Sequence, residues 1–217
     1  MARKSTESAA RRRILQTAAD LFYQNGIRGT GIDTIIEAAG VARMTLYHHF
    51  PTKDALVEAV LREIATSKEA EWQAIAGDES RPPQERILAL FDQVGATLLG
   101  EGFRGCALIN AVAESPDRAS AIHCVAGAYK DALARAITRC VAELGVDSPA
   151  ELTEQLMLLF DGVTVRAQMG FAAAAVPAAR RAAVLLMDAV PGRTASEAPA
   201  TPVAPADRRG FAGGGLL

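Results

Sequence analysis

Apolar residues near the N-terminus recur with the spacing of an amphipathic helix. They occupy positions i, i+1, i+4, i+7 and i+8 of one helical face: Ile14, Leu15, Ala18, Leu21 and Phe22. Gly26 follows them, and a glycine at that place commonly ends a helix because it adopts a left-handed backbone at little cost. The pattern therefore predicts a first helix that ends before Gly26. The polar residues 1–9 ahead of it are predicted to form a basic, flexible arm.

Two short helices are predicted to follow. Thr30 is placed to cap the second helix. The buried face of that helix is predicted to consist of Ile32, Ile35, Ile36 and Ala39. Gly40 breaks the helix, and a third helix covers about residues 42–49, with Leu46 and Phe50 directed toward the core.

The later helices are predicted from caps, prolines and loop composition. Pro51 stops the third helix, and Thr52 can cap the fourth. Serine–proline pairs at 115–116 and 148–149 are typical of a helix start, with serine as the cap and proline in the first turn. Pro177 precedes the last helix. The predicted ranges are about 53–75, 84–99, 106–114, 116–144, 149–170 and 178–189.

The composition indicates an all-α fold. The 217 residues include 44 alanines, half of the chain is apolar and only 5% is aromatic, and Ala and Leu favour helices. The longest run without a charged residue has 13 positions, whereas a membrane span needs about 20, so we expect no span. Three cysteines and the lack of an apolar leader indicate a protein of the reducing cytoplasm.

The net charge of −2 conceals an uneven distribution. Residues 1–53 hold eight Lys or Arg and four Asp or Glu, a balance of +4, whereas residues 54–217 hold 15 and 21, a balance of −6. A basic N-terminal quarter on an acidic body allows one end of the protein to face a polyanion such as DNA.

The two short helices around Gly40 have the spacing of a helix-turn-helix, whose second helix enters the major groove of DNA. Arg43 can donate two hydrogen bonds to a guanine edge, and Tyr47 and His49 can donate to phosphates. Lys53 lies at the start of the next helix, where its charge and the free N–H groups both attract phosphate. The predicted DNA contacts are Thr30, Arg43, Met44, Thr45, Tyr47, His48, His49 and Lys53.

A longer set of residues resembles the N-terminal domain of the TetR family of bacterial transcriptional regulators. It covers about residues 10–60 and reads Ile14-Leu15-x-x-Ala18-Ala19-x-Leu21-Phe22-x-x-x-Gly26, then Ile35, then Ala38-Ala39-Gly40-Val41-x-x-x-Thr45-Leu46-Tyr47-x-His49-Phe50-x-x-Lys53-x-x-Leu56. The rest of the chain is similar in outline only, as a larger and variable helical domain. The resemblance implies a helix-turn-helix domain in residues 10–53 and a helical ligand-binding and dimerisation domain in residues 54–190.

Members of this family are homodimers, usually repressors, that bind palindromic operators and are released by a small molecule in the C-terminal domain. Two departures from the usual pattern bear on the recognition helix. Ala42 stands where a serine cap is common, so the cap is weaker, and Met44 replaces a smaller residue, so no operator sequence can be carried over.

The resemblance also implies that the last two long helices form a four-helix interface between two copies. The residues predicted for it are Leu152, Leu156, Leu159, Phe160, Val163, Ala182, Leu185, Leu186 and Ala189. Their helical spacing fits either a core or a dimer face. The residues predicted to bind an effector are Trp72, Phe91, Phe103, Cys106, Asn110, Glu114, His123, Tyr129 and Gln168, a mixture that suits a moderately hydrophobic molecule.

Cys106 admits two interpretations. The segment Gly105-Cys106-Ala107-Leu108-Ile109-Asn110 resembles one branch of the family, some members of which sense electrophiles or oxidants through a cysteine at this place. A thiol near a helix start and beside Arg104 could be reactive. The alternative, which we favour, is that Cys106 is a small buried hydrophobe.

Other classes of function fit the sequence less well. A helical enzyme would need a catalytic triad, a phosphate loop, metal-ligand spacing or paired carboxylates, and we find none, so we expect no enzyme, no cofactor and no metal. A DNA-binding protein without a ligand would not need the long C-terminal domain. Residues 191–217 contain nine Gly or Pro and are predicted to be a disordered tail.

Overall fold

The computed structural model describes residues 2–189 of the chain. The polypeptide between these limits forms helices and connecting turns, with no β-strand among the described residues. The nine α-helices are α1 (Ala2–Asn25), α2 (Ile32–Ala39), α3 (Arg43–His49), α4 (Lys53–Ala76), α5 (Pro83–Leu98), α6 (Ala107–Glu114), α7 (Ala121–Ala142), α8 (Pro149–Arg166) and α9 (Ala172–Ala189). The prediction of an all-α fold is confirmed. The predicted disordered tail lies outside the described residues.

The N-terminal head consists of α1, α2, α3 and the first half of α4. Ile14, Ile35, Leu46 and Leu56 contribute one side chain from each of these helices, and each is 0% exposed. The same cluster continues into α6 and α7 through Leu108, Ala111 and Val125. The head therefore shares its core with two helices of the C-terminal part, and no flexible linker separates them.

The C-terminal body is built around α4 and α7, which pack against each other along much of their length. The rings of Phe91 on α5 and Phe160 on α8 stack with centroids 3.9 Å apart. The buried guanidinium of Arg86 donates to the carbonyl oxygen of Ala76 at 2.8 Å and to the carboxylate of Glu143. This cluster connects α5 with the C-terminal ends of α4 and α7.

Helices α8 and α9 fold back against each other through a π-helical turn, Ala167–Phe171. Gly170 has φ of 89°, which only glycine adopts readily, and it breaks the helical path there. The stretch Pro149–Ala189 is, by length and composition, apolar enough to cross a membrane, with a mean hydropathy of 1.3 over one 18-residue window. Our expectation from charge-free runs did not anticipate this stretch. It is weak evidence for a membrane span, because two packed helices rather than one continuous helix form it.

Several helix starts differ from the prediction. Helix α1 begins at Ala2, so residues 2–9 continue the helix and do not form a separate arm. Helix α7 is capped by Ser120, whose hydroxyl accepts from the N–H of His123, and not by Ser115 ahead of Pro116. Helix α9 starts at Ala172 and contains Pro177 in its interior.

Of the two threonines predicted to cap helices of the head, one is a cap and the other is not. Gly40 has φ of 60°, as expected for the glycine between α2 and α3, and Thr52 caps α4 by accepting from the N–H of Ala55. Thr30, by contrast, is not a cap. Gly31 occupies the cap position of α2, and the buried Thr30 hydroxyl is a donor to the carbonyl oxygens of Gly26 and Leu21 at the end of α1.

Candidate DNA-binding surface and ligand cavity

Helix α3 separates its side chains cleanly between core and surface. Leu46 is fully buried, whereas Met44 is 77% exposed and Tyr47 is 38% exposed. His48 is exposed, and Thr45 and His49 are half-buried. Ala42 supplies no side-chain cap, so the first N–H groups of α3 have no hydrogen bond from that side chain. The exposed side chains and this open helix end together form the predicted recognition surface.

Arg43 forms an ion pair with Asp33, which lies in the first turn of α2. Both side chains are largely exposed. The pair links the two helices of the helix-turn-helix, and it also neutralises the guanidinium that we expected to contact a guanine. An exposed ion pair is worth only about 0.2–1 kcal/mol, so DNA can compete with Asp33 for Arg43.

Two further predicted contacts have different surroundings. Lys53 is the first residue of α4, next to the Thr52 cap, and is half-buried. Thr30 is 2% exposed and its hydroxyl is engaged within the head. The Thr30 side chain therefore fixes the end of α1, and its burial does not favour the predicted DNA contact at this residue.

A cavity of about 290 Å³ opens between α4, α5, α7 and the start of α6. Four residues predicted to bind an effector line it: Trp72, Phe103, Cys106 and Tyr129. The rings of Trp72 and Tyr129 lie 4.9 Å apart and form one wall. The residues that we had not predicted are Tyr23, Ile64, Lys68, Gln93, Val94, Thr97, Leu98, Gly105, Ala107, Leu108, Lys130, Leu133, Phe160 and Thr164.

Some of these residues could have been found from the sequence. Ile64 and Lys68 precede Trp72 by eight and four positions, so a helix that directs Trp72 into a cavity brings them to the same side. Thr164 and Thr97 could not have been found in this way, because their helices meet α4 only in the folded protein.

The polar groups of the cavity are held by neighbours. Burial raises the pKa of the Tyr129 phenol, aided by the nearby Cys106, so this hydroxyl stays protonated. Lys68 donates to Glu71 at 2.9 Å, and this hydrogen bond lowers the pKa of Glu71. Lys130 forms an ion pair with Asp161.

The other predicted effector residues lie elsewhere. Phe91 is packed into the core against Phe160, and Gln168 is on the surface, where it donates to Asn110 at 3.1 Å. His123 lines a different, shallow cleft between α6 and α7. These three side chains do not reach the cavity because tertiary packing turns them toward other neighbours.

A second cavity, of about 210 Å³, lies between the head and the body and is lined by both remaining candidates, Asn110 and Glu114. Tyr23, Ile64 and Ala107 line both cavities, so they form the wall between them. The second cavity is mainly apolar and lies under the loop that connects α1 to α2.

Helix α6 is hydrogen-bonded to the head at both of its ends. Near its start, the Tyr23 hydroxyl donates to the carbonyl oxygen of Gly105 at 3.1 Å and accepts from the N–H of Arg104 at 2.7 Å. At its end, the carboxylate of Glu114 accepts from the N–H groups of Ile27 at 2.9 Å and Arg28 at 2.8 Å. A displacement of α6 must therefore move the head or break these bonds.

The surface of α8 and α9 carries large exposed apolar side chains. Leu158 is 63% exposed and Leu185 is 68% exposed, Val165 on α8 is also exposed, and Met169 and Phe171 are exposed on the π-helical turn between the two helices. Of the residues predicted for a dimer interface, Leu185 and Ala189 are exposed, while Leu159, Ala182 and Leu186 are half-buried.

The remaining four predicted interface residues belong to the core of one chain. Leu152, Leu156, Phe160 and Val163 are between 0% and 6% exposed. They pack against α5, α7 and α9 within the subunit, which makes them unavailable to a partner. The apolar spacing on α8 fits either a core or a dimer interface, and in the folded chain these four residues lie in the core.

No group of three or more His, Cys, Asp or Glu side chains in residues 2–189 lies close enough to hold a metal ion.

Comparison with known proteins places these features in a family. Residues 14–60 match the family described as bacterial regulatory proteins, tetR family. The chain is 34% identical over 87 residues to the transcriptional repressor KstR2 of Mycolicibacterium smegmatis and 45% identical over 62 residues to the transcriptional regulator RutR of Escherichia coli. These matches span 40% and 29% of this chain, and only 42% and 29% of the two relatives.

A solved structure extends the similarity over both parts of the protein. The TetR-family transcriptional regulator SCO4454 from Streptomyces coelicolor is 31% identical, with a TM-score of 0.80. The alignment covers 84% of this chain and 96% of that one. The helix-turn-helix of α2 and α3, the helical body and this whole-length similarity agree, and the chain belongs to the TetR family of transcriptional regulators.

Proposed function

We propose that the protein is a cytoplasmic, homodimeric repressor that binds a palindromic operator and is released from it by a small molecule. The observation that carries this proposal is the position of α6. Its first turn, with Cys106 and Ala107, lines the larger cavity, and its last residue, Glu114, binds the backbone of the head. A molecule that binds in the cavity and displaces α6 would therefore also displace the head that carries the DNA-binding surface.

The exposed face of α3 supplies the DNA contacts. Met44 and Tyr47 project from it, and Arg43 reaches a base edge by exchanging Asp33 for DNA. Lys53 supplies a phosphate contact at the N-terminus of α4. The basic balance of the first 53 residues adds attraction that does not depend on DNA sequence.

The exposed apolar side chains on α8 and α9 form the dimer interface. Within the stretch Pro149–Ala189, an apolar window of 18 residues is only 11% buried in one chain. Leu158, Val165 and Leu185 would be covered by the same helices of a second copy. Gly162 faces away from the rest of its own chain, since a Cβ added there would meet no atom within 4 Å, and its lack of a side chain leaves room for that copy. Such an interface would hold the two heads at a fixed separation.

The protein would be released from DNA when the separation of the two heads changes. Two recognition helices must lie about 34–36 Å apart to enter successive major grooves. A ligand that displaces the segment 104–107 moves α6, and the bonds of Tyr23 and Glu114 pass the displacement to α1 and its following loop. The ligand must bind the displaced arrangement more tightly than the DNA-bound one, since equal affinity for both would shift nothing.

The first test is a fluorescence-anisotropy titration with DNA from upstream of the protein's own gene, repeated over a series of salt concentrations. We expect tight, sequence-specific binding that weakens steeply with salt. Lys53→Ala should lower the slope of the salt dependence by about two for the dimer, about one for each subunit, whereas Arg135→Ala, which removes a cation from the body, should leave it unchanged. The proposal would be contradicted if the protein bound all DNA sequences weakly and equally and if a selection from genomic DNA also yielded no preferred sequence.

A second candidate function uses the thiol of Cys106 as the sensor of an electrophile or oxidant. The observation that favours it is that Cys106 lines the cavity at the N-cap of α6, with its Sγ 4.0 Å from the hydroxyl oxygen of Tyr129. Alkylation of Cys106 would enlarge its side chain at the start of α6. Treatment with N-ethylmaleimide should then reduce operator affinity in the native protein and not in Cys106→Ser. Unchanged affinity after complete alkylation would exclude this candidate.

A further inference from the structure

The aromatic residues of this chain are concentrated at the larger cavity. The sequence has one Trp, three Tyr and seven Phe, and five of these eleven residues line the cavity: Tyr23, Trp72, Phe103, Tyr129 and Phe160. Trp72 and Tyr129 are in mutual contact there. Flat walls of this kind bind planar rings by stacking and edge-to-face contacts.

The charged residues of the same wall are both cations. Lys68 on α4 and Lys130 on α7 line the cavity, and no carboxylate is found among the described residues that line it. Their side chains are 32% and 27% exposed. The carboxylates that pair with them, Glu71 and Asp161, are set back from the cavity.

This arrangement leaves donors for a ligand. An ammonium group has three N–H donors, and each lysine uses one on its carboxylate partner. Glu71 also accepts a hydrogen bond from Gln93 at 3.1 Å. This second bond holds the carboxylate in place, and the carboxylate in turn positions the Lys68 ammonium group. Each ion pair is neutral overall, so selection rests on these unused donors: an anionic oxygen can accept from them, whereas an ammonium group can only donate.

We propose that the cavity selects a planar aromatic molecule that carries a single carboxylate, with the ring against Trp72 and Tyr129 and the carboxylate on Lys68 or Lys130. This inference rests on the proposed function only in taking the cavity as the effector site. It narrows the effector to aromatic monoanions and excludes aromatic amines and unbranched acyl chains as preferred ligands.

The test compares three probes on the full-length protein by calorimetric titration. 2-Naphthoate has the ring and the charge, 2-naphthamide has the ring alone, and decanoate has the charge without the ring. We expect 2-naphthoate to bind at least about tenfold more tightly than either of the others, which corresponds to about 1.4 kcal/mol. Trp72 is the single tryptophan of the chain, so quenching of its emission by 2-naphthoate, corrected for absorbance by the probe, supports binding beside this residue.

Substitutions in the cavity distinguish the contribution of the carboxylate to binding from that of the aromatic ring. Lys68→Gln combined with Lys130→Gln should weaken 2-naphthoate binding about tenfold or more and leave 2-naphthamide unchanged, which also shows that the cavity is intact. Phe103→Leu should weaken both aromatic probes. Arg135→Gln is the control, because it also removes a cation held in an ion pair, with Glu69 of α4, but Arg135 does not line the cavity.

The outcomes distinguish this inference from the proposed function. Equal binding of 2-naphthoate and 2-naphthamide, preference for decanoate, or no binding of any probe by a protein that still binds its operator would overturn the ligand class and leave the repressor function standing. Tight, lysine-dependent 2-naphthoate binding by a protein that recognises no DNA would support the ligand class and refute the repressor function.

Discussion

The carboxylate of Glu114, the last residue of α6, accepts a hydrogen bond from the backbone N–H of Ile27, 2.9 Å away and 87 residues earlier in the sequence. Its second oxygen accepts from Arg28, so one side chain satisfies two N–H groups of the loop between α1 and α2. Gly26 has φ of 80° at this loop, and a Cβ there would lie 3.0 Å from the carboxylate. Glycine thus makes room for the contact that joins the body to the head.

Glu114→Gln should weaken this contact, because the amide offers one oxygen acceptor where the carboxylate offers two. Hydrogen bonds to charged groups are worth about 1.5–3 kcal/mol, so we expect a loss of about 1–2 kcal/mol in the free energy of unfolding and weaker operator binding. Urea denaturation and fluorescence anisotropy measure the two effects. Glu63→Gln, on the exposed surface of α4, is the control and should change neither. Unaltered stability and affinity in Glu114→Gln would show that the contact is not used.

Asp33→Asn should raise affinity for DNA. The substitution removes a negative charge beside the recognition helix and frees Arg43 from its ion pair. Since an exposed pair is worth about 0.2–1 kcal/mol, affinity should rise by up to about fivefold for each subunit of the dimer, with a steeper dependence on salt. Glu79→Gln changes the net charge equally at the far end of α4 and should have no effect. A loss of affinity in Asp33→Asn would mean that the pair positions Arg43 and does not compete with DNA.

Leu158→Glu and Leu185→Glu should each dissociate the proposed dimer. Both side chains are exposed in one chain, so the fold of the subunit is unaffected, but a carboxylate buried without a partner in an interface costs several kcal/mol. We expect dimer dissociation constants to rise by about a hundredfold or more, measured by analytical ultracentrifugation. Leu99→Glu, an exposed leucine outside α8 and α9, is the control. A stable dimer in both variants would place the interface elsewhere.

Glu143→Gln should remove part of the pH dependence of stability. The Arg86 guanidinium, by its hydrogen bonds, lowers the pKa of Glu143 in the folded protein. A lowered pKa stabilises the fold above the pKa of the unfolded chain, about 4.3, and this contribution is lost as the pH falls through the lower folded value. The variant should therefore be less stable than the native protein at pH 7, and the difference should be smaller at about pH 3. Denaturation curves at both pH values provide the measurement. A difference that is the same at pH 3 and pH 7 would contradict the assignment.

Local patterns in the sequence were sufficient for several elements of the head, but not for the start of α1 or the cap of α2. The apolar spacing of α1, the left-handed glycine at Gly40 and the cap at Thr52 all depend on residues within a few positions of each other, and each prediction is confirmed. The same holds for the all-α fold class, since strong helix formers and periodic apolar faces act along the local chain.

Only the tertiary structure decided which side chains serve the core, the cavity and the surface. The apolar stripe of Leu152, Leu156 and Phe160 fits a core and an interface equally well by spacing, and packing against α5 and α7 buries it within one chain. Lys68 and Lys130 enter one cavity although 62 positions separate them, and Thr30 turns its hydroxyl to the end of α1 instead of capping α2. Helical periodicity defines the faces of a helix, but which neighbour covers each face depends on contacts between residues far apart in sequence.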